Sequence, residues 1–263
     1  METGNFHRFA SLLRDISLPE LEEEIRLPRR LLLSSGTAGR KRIDVAYAPF
    51  DHVNLQARIV IVGLTPGRQQ MGNALREARR VLQAGGSHEE AMAKAKSFAS
   101  FSGPMRSNLV AMLDSVGVNA ALRIPSTASL WDRDVGLVHF TSALRNPVFV
   151  DGGNYSGNPS MLAVPQLKRQ LETGLGNELA SLTGAMVVPL GPRVTEAVEH
   201  LARIGAVNQD LVLSGMPHPS GANGERIAFF LGRKPQELLS RKVEPKRLEL
   251  ARASLLQKVG EYR

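Results

Sequence analysis

The stretch Ile59-Val60-Ile61-Val62-Gly63-Leu64-Thr65-Pro66-Gly67 decides the fold. An unbroken run of Ile and Val closed by a Gly/Pro turn reads as a strand buried on both faces, the pattern of a parallel sheet interior. A second apolar run, Leu211 to Met216, is followed by His218-Pro219-Ser220. In open parallel sheets the carboxyl ends of the strands gather at one ligand crevice. Polar atoms carried by two strand-end loops are therefore the leading candidates for a site.

Outward from these two runs, Val135 to Leu144 and Ala185 to Leu190 are further strand candidates. Helical composition covers Ala74 to Leu82, His88 to Phe98, Leu162 to Leu175 and, opened by Gly191-Pro192, Val194 to Ile204. In Asn108 to Val116 the residues Leu109, Met112, Leu113 and Val116 form an apolar helical stripe, which predicts core positions. Strands alternating with helices predict a three-layer α/β/α domain with a central, mainly parallel four-stranded sheet. Ser34 to Arg42 and Arg145 to Pro159 read as polar loops. Residues 1–45 are expected to be a helical addition packed on a core of residues 46–233. Residues 234–263 are expected to be a basic helical extension carrying Arg241, Lys242, Lys246, Arg247 and Arg252.

The 263 residues, 43% of them apolar, suffice for one good-sized domain. A net charge of +8 with a pI near 10.2 favours a polyanionic partner without choosing among nucleic acid, an acidic protein and a merely basic surface. The chain has no cysteine, which excludes disulfides, thiolate zinc sites, a cysteine nucleophile and cysteine-ligated iron-sulfur clusters. The six histidines are scattered and form no metal motif. No apolar run reaches the roughly 20 residues of a spanning helix, and the polar opening Met1-Glu2-Thr3-Gly4-Asn5 is unlike a secretory signal. A soluble, cytoplasmic protein without a cofactor and with no indicated obligate protein partner is expected.

The two loops resemble the signature segments of the uracil-DNA glycosylase superfamily. Gly63-Leu64-Thr65-Pro66-Gly67 is similar to its first loop and His218-Pro219-Ser220 to the start of its second. Phe101-Ser102-Gly103 resembles the segment whose aromatic ring stacks on an extruded base, and His139 to Ala143 the strand end that reads the base. Val187 to Gly191 is similar to the family's third strand, so that the resemblance covers about Ala57 to Gly232. It implies an α/β/α fold and hydrolysis of the N-glycosidic bond of a flipped uracil or other damaged base in single-stranded or duplex DNA. His218 would hydrogen-bond the departing base, while Phe101 would stack on it. Thr65 would hold the attacking water, and Gly63, Leu64, Pro66 and Gly67 would line the pocket. Pro219, Ser220 and Gly221, with the N–H groups of Gly221, Ala222 and Asn223, would meet a phosphate.

The chain departs from the pattern at two places. Thr65 stands where Asp or Asn is usual, and a hydroxyl cannot act as a general base at neutral pH. Asn108, Gln69 and Gln70 are candidates to compensate. Ser142 stands where a base-reading Asn is expected, with Asn146 as its possible substitute, so strict uracil selectivity does not follow. The bulky wedge of some relatives is replaced by Gly221-Ala222-Asn223. No motif indicates a Lys nucleophile for strand cleavage. Two other functions stay open: a lesion-binding protein of the same fold without catalysis, and a small-molecule phosphate site in an unrelated α/β enzyme.

Overall fold

A computed structural model describes residues 4–99 and 104–262. In chain order its elements begin with α1 (Gly4–Asp15), α2 (Leu18–Arg26), β1 (Leu32–Ala38), β2 (Lys41–Ala46) and β3 (Ile59–Gly63). These are followed by α3 (Arg68–Gln83), α4 (His88–Ala99) and α5 (Pro104–Ser115), then β4 (Val138–Ser142), β5 (Val148–Val150), β6 (Gly153–Asn154) and β7 (Met186–Pro189). Later helices include Pro192–Arg203 and Pro245–Glu261. The protein is mixed α/β with both parallel and antiparallel pairing. Among the described residues no helix is long and apolar enough to cross a membrane.

The chain divides into two compact units. The first comprises Met1–Val53, Leu64–Ser100 and Phe140–Asn177, and the second Asn54–Gly63, Phe101–His139 and Glu178–Arg263. The expected boundary after residue 45 falls inside the first unit, and that after residue 233 inside the second.

The first unit holds an antiparallel sheet of order β1-β2-β5-β6, built from two segments expected to be loops. Residues 34–42 do not form a loop, because Ile43 and Val45 are buried on one face while Arg42 is exposed, and Gly39 at φ +60° closes a two-residue turn. Residues 145–159 are likewise not one long loop. Val148-Phe149-Val150 pairs back through Asp151-Gly152, both at positive φ, the signature of a tight hairpin. Under this sheet Phe6, Phe9 and Leu13 of α1 join Met71, Leu75 and Ala78 of α3 and Ala91 and Ala95 of α4 in one apolar cluster. Glu24, buried at the end of α2, accepts the N–H groups of Arg29, Arg30 and Leu31 at 2.9, 3.2 and 3.0 Å, which fixes the entry into β1.

In the second unit β3 and β7 pair in parallel, Ile59 beside Met186 and Ile61 beside Val188. The strand β4, whose first two residues belong to this unit, lies on the other edge of β3. The expected fourth strand is reduced to one parallel bridge between Val187 and Val212. Its approach is a short turn at Gln209–Leu211, capped by the Asn208 side chain, and Gly215 at φ +98° ends the extended path. The α5 residues Leu109, Met112, Leu113 and Val116 are all buried, as the apolar stripe predicts. His139 is buried too. Its Nδ1 accepts the Asn54 N–H at 3.4 Å and its Nε2 lies 3.1 Å from Glu178 Oε2.

Candidate functional site

The expected site residues fall into two groups, one in each unit. In the first unit the backbone leaving β3 is pinned by the Leu144 N–H, which donates to the Leu64 carbonyl at 3.0 Å. Thr65 then donates its hydroxyl to the Asn146 carbonyl at 3.1 Å, so the two candidates are in contact. Asn146 is buried, with its N–H on Gln170 Oε1 at 3.1 Å, and Ser142 ends β4 half-buried.

Pro66 is buried and Gly67 is the N-cap of α3. Gln70 turns back to accept the Gly67 N–H at 3.1 Å, which makes it a helix cap, and Gln69 is exposed. A side chain at residue 67 would approach the Asn154 amide nitrogen to 3.3 Å, consistent with a glycine chosen for close backbone approach. Phe101, with Ser102 and Gly103, lies outside the described residues.

Arg68, which no sequence motif singles out, organises this loop. Its guanidinium donates to the carbonyls of Ile25, Arg26 and Gly152 at 2.5, 2.6 and 2.8 Å, and lies 4.1 Å from the centre of the Phe149 ring. Its backbone N–H donates to Asn154 Oδ1 at 3.0 Å. Burial lowers its pKa from the ordinary arginine value. An Arg directly after a Gly N-cap was the available signal, but only the unforeseen β5–β6 hairpin supplies its partners.

In the second unit the His218 loop is built from its own polar groups. The Ser220 N–H donates to His218 Nδ1 at 3.2 Å, Asn108 Nδ2 donates to the Pro219 carbonyl at 2.9 Å, and Asn223 Nδ2 to Ser220 Oγ at 3.2 Å. A nitrogen that accepts an N–H carries no proton, so the neutral imidazole bears its hydrogen on Nε2. Burial pushes the His218 pKa below its ordinary value, which keeps the ring neutral at pH 7. His218 is thus a neutral donor of fixed tautomer. Asn108 engages the loop through its amide nitrogen. Gly221 is exposed, and the Asn223 N–H bonds the Ser220 carbonyl at 2.9 Å, which removes it from the expected phosphate cradle.

His218 also lines a cavity of about 530 Å³ shared with Gly191, Thr195, Arg226, Lys242 and Arg247. Two residues of the expected basic extension, Lys242 and Arg247, therefore face the same hollow as the histidine. Glu196, Glu199 and Glu244 line it as well, so its charge is mixed. Among the described residues no group of three or more His, Asp or Glu side chains is placed to hold a metal ion.

Compared with known proteins, the chain is 37% identical over 197 residues to a Bacillus subtilis (strain 168) protein named Uncharacterized protein YoxB, across 74% of this chain and 77% of that one. The chain belongs to the YoxB family. No family model and no solved structure matches it.

Two supports of the His218 loop in this YoxB-family chain carry predictions. Gly191 precedes the helix Pro192–Arg203 at φ +90° and ψ 163°, a conformation essentially reserved for glycine. A Cβ there would lie 3.3 Å from His218 Cδ2. Gly191→Ala is expected to cost about 1–3 kcal/mol in chemical denaturation and to displace the imidazole.

Beyond the loop, Glu225 accepts Lys234 Nζ at 2.7 Å, the Ser240 N–H at 2.9 Å and the Ser240 hydroxyl at 2.5 Å. The Lys234 bond, then those from Ser240, lower its pKa from 4.5 to about 2. A carboxylate depressed in the folded state stabilises it fully above its unfolded pKa and loses that contribution as pH falls through the folded one. The stability deficit of Glu225→Gln, measured by urea denaturation, should accordingly be present at pH 6, shrink below pH 4.5 and be largely gone near pH 2.

Proposed function

We propose that this YoxB-family protein is a monofunctional DNA glycosylase, which hydrolyses the N-glycosidic bond of a flipped uracil or other damaged base and acts in base excision repair in the cytoplasm. The single observation that carries this proposal is the state of His218: neutral, with Nδ1 engaged by the Ser220 N–H and Nε2–H left as donor. Breaking the glycosidic bond builds negative charge on the base, and a preorganised donor at that charge contributes about 3 kcal/mol. We further propose that β4-β3-β7, extended by the Val212 bridge, is the centre of a three-layer α/β/α core like that of the uracil-DNA glycosylases. The parallel β3–β7 pairing and the loops at the ends of β3 and after Val212 support this. Net charge +8 suits a DNA partner.

One observation favours a second function, lesion binding without catalysis. The Thr65 hydroxyl proton is engaged with the Asn146 carbonyl, so Thr65 can offer water only its lone pairs. Oligonucleotides carrying uracil, hypoxanthine, xanthine or hydroxymethyluracil, single-stranded and duplex, incubated with excess protein, separate the two. Free base from at least one substrate is the expected result. Tight, lesion-selective binding with no base released supports the non-catalytic function, and neither binding nor release removes both.

A further inference from the structure

The phosphate contact expected of the second loop lacks one of its donors, because the Asn223 N–H is bonded to the Ser220 carbonyl. Cations from beyond that loop line the cavity beside it. Arg226, Lys242 and Arg247 share the hollow of about 530 Å³ with His218, and all four residues belong to the second unit. A concavity of this size admits a small molecule or one repeat of a longer chain, which sets it apart from a solvated basic face. Lys242 and Arg247 also lie outside the stretch Ala57 to Gly232 that resembles the glycosylase family.

The three cations differ in how they are held. Arg226 donates from Nη1 to Asn223 Oδ1 at 3.3 Å and from Nη2 to the Lys242 carbonyl at 2.6 Å, so one guanidinium ties the His218 loop to the segment carrying Lys242. Val243, the next residue, is buried and anchors that segment in the unit. Lys242 and Arg247 themselves are exposed. Among the described residues neither the Lys242 ammonium nor the Arg247 guanidinium makes a hydrogen bond or an ion pair, although Glu244 lines the same cavity. Two cations on an anchored backbone are thus available to a ligand.

The carboxylates of the cavity narrow the ligand. Glu196 is paired with Arg193 at 3.1 Å, which leaves Glu199 and Glu244. With His218 neutral, three cations against these two carboxylates leave a single net positive charge. An internal phosphodiester carries one negative charge, whereas a terminal phosphate carries about 1.5 to 2 at pH 7. The balance suits a phosphate inside a strand better than that of a free nucleotide, and Met216 and Leu248 add apolar wall for its sugar.

We propose that this cavity seats one phosphodiester of a DNA strand, held by Lys242 and Arg247. The segment after residue 233 is then part of the binding surface. The identity of the strand rests on the DNA-directed function proposed above, while the seat itself does not depend on catalysis.

The test is the affinity for an undamaged single-stranded oligonucleotide, followed by fluorescence anisotropy between about 50 and 200 mM salt. Wild type is compared with Lys242→Gln/Arg247→Gln and with the control Arg241→Gln/Lys246→Gln, which removes the same charge from the same segment at residues that do not line the cavity. The cavity variant is expected to bind at least about tenfold more weakly and to flatten the salt slope by about one, with the control within about threefold of wild type. The dinucleotide TpT, with one internal phosphodiester and no terminal phosphate, should compete better than thymidine monophosphate. Equal losses in the two double variants, an unchanged slope in the cavity variant, or better competition by the monophosphate overturns the seat. If the cavity variant fails to fold, Arg247→Gln alone should weaken binding in the same direction, and wild-type affinity there overturns the proposal. Base release by a protein whose salt slope ignores the cavity overturns the seat alone. A strand bound through the cavity with no base released from any substrate supports the seat and removes the glycosylase function, and a protein that binds no DNA removes both.

Discussion

On the glycosylase function proposed above, His218→Ala is expected to lower single-turnover base release about 100-fold while leaving the fold and lesion binding largely intact. The size follows from the role: one preorganised donor aimed at developing charge contributes about 3 kcal/mol to the transition state and far less to the ground state. The selectivity for rate over binding follows because a neutral imidazole has little to offer an uncharged base before the bond breaks. Asn108 and Asn223 are engaged in holding the Pro219 carbonyl and the Ser220 hydroxyl. His218→Gln, which retains an N–H donor, should recover part of the loss. Rates for wild type and His218→Ala that agree within threefold on every substrate would remove His218 from the chemistry.

Arg68→Ala is expected to destabilise the protein by about 3 kcal/mol, read as a shift of the urea midpoint at constant m-value. Three carbonyl oxygens lose a charged donor and the Phe149 ring loses its cation, although partial exposure lets water replace some of these bonds. Arg68→Lys should recover less than half, since a compact ammonium cannot fork to carbonyls on both α2 and the β5–β6 turn. The same substitutions should loosen the Thr65-Pro66-Gly67 loop, and under the proposed function base release is then expected to fall with stability. A midpoint unchanged by Arg68→Ala would show that these bonds are matched by hydration in the unfolded chain.

The elements that were legible in the sequence are those dictated by local chemistry. The run Ile59 to Val62 could only be a doubly buried strand, the stripe Leu109, Met112, Leu113 and Val116 a packed helix face, and Gly191-Pro192 a helix start. The antiparallel sheet was missed because β1 is polar along most of its length and draws its order from pairing with Ile43 and Val45. Asp151-Gly152 was a readable hairpin signal. It was absorbed into a loop by the glycines and asparagines around it. The last strand was over-read for the opposite reason, since Leu211 to Met216 is apolar enough for a strand but carries Gly215 at positive φ.

Of the candidate site, composition and motif gave the residues but not their partners. That Thr65 is bonded to Asn146, that Gln70 is a cap, and that Asn108 reaches the second loop all depend on contacts between segments far apart in sequence. The segment Tyr47 to His52 illustrates the same limit: it matches no motif, and the Lys96 ammonium that holds its Phe50 and His52 carbonyls is brought to it only by folding.

The tautomer and charge of His218 underlie the proposed function, and two-bond proton–nitrogen NMR of the imidazole, followed from pH 8 to pH 5, measures both directly. A ring with its hydrogen on Nε2 and a bare Nδ1, still neutral at pH 7 and charging only below the ordinary histidine value, is the predicted result. An imidazolium protonated on both nitrogens at pH 7, or a hydrogen on Nδ1, would contradict it.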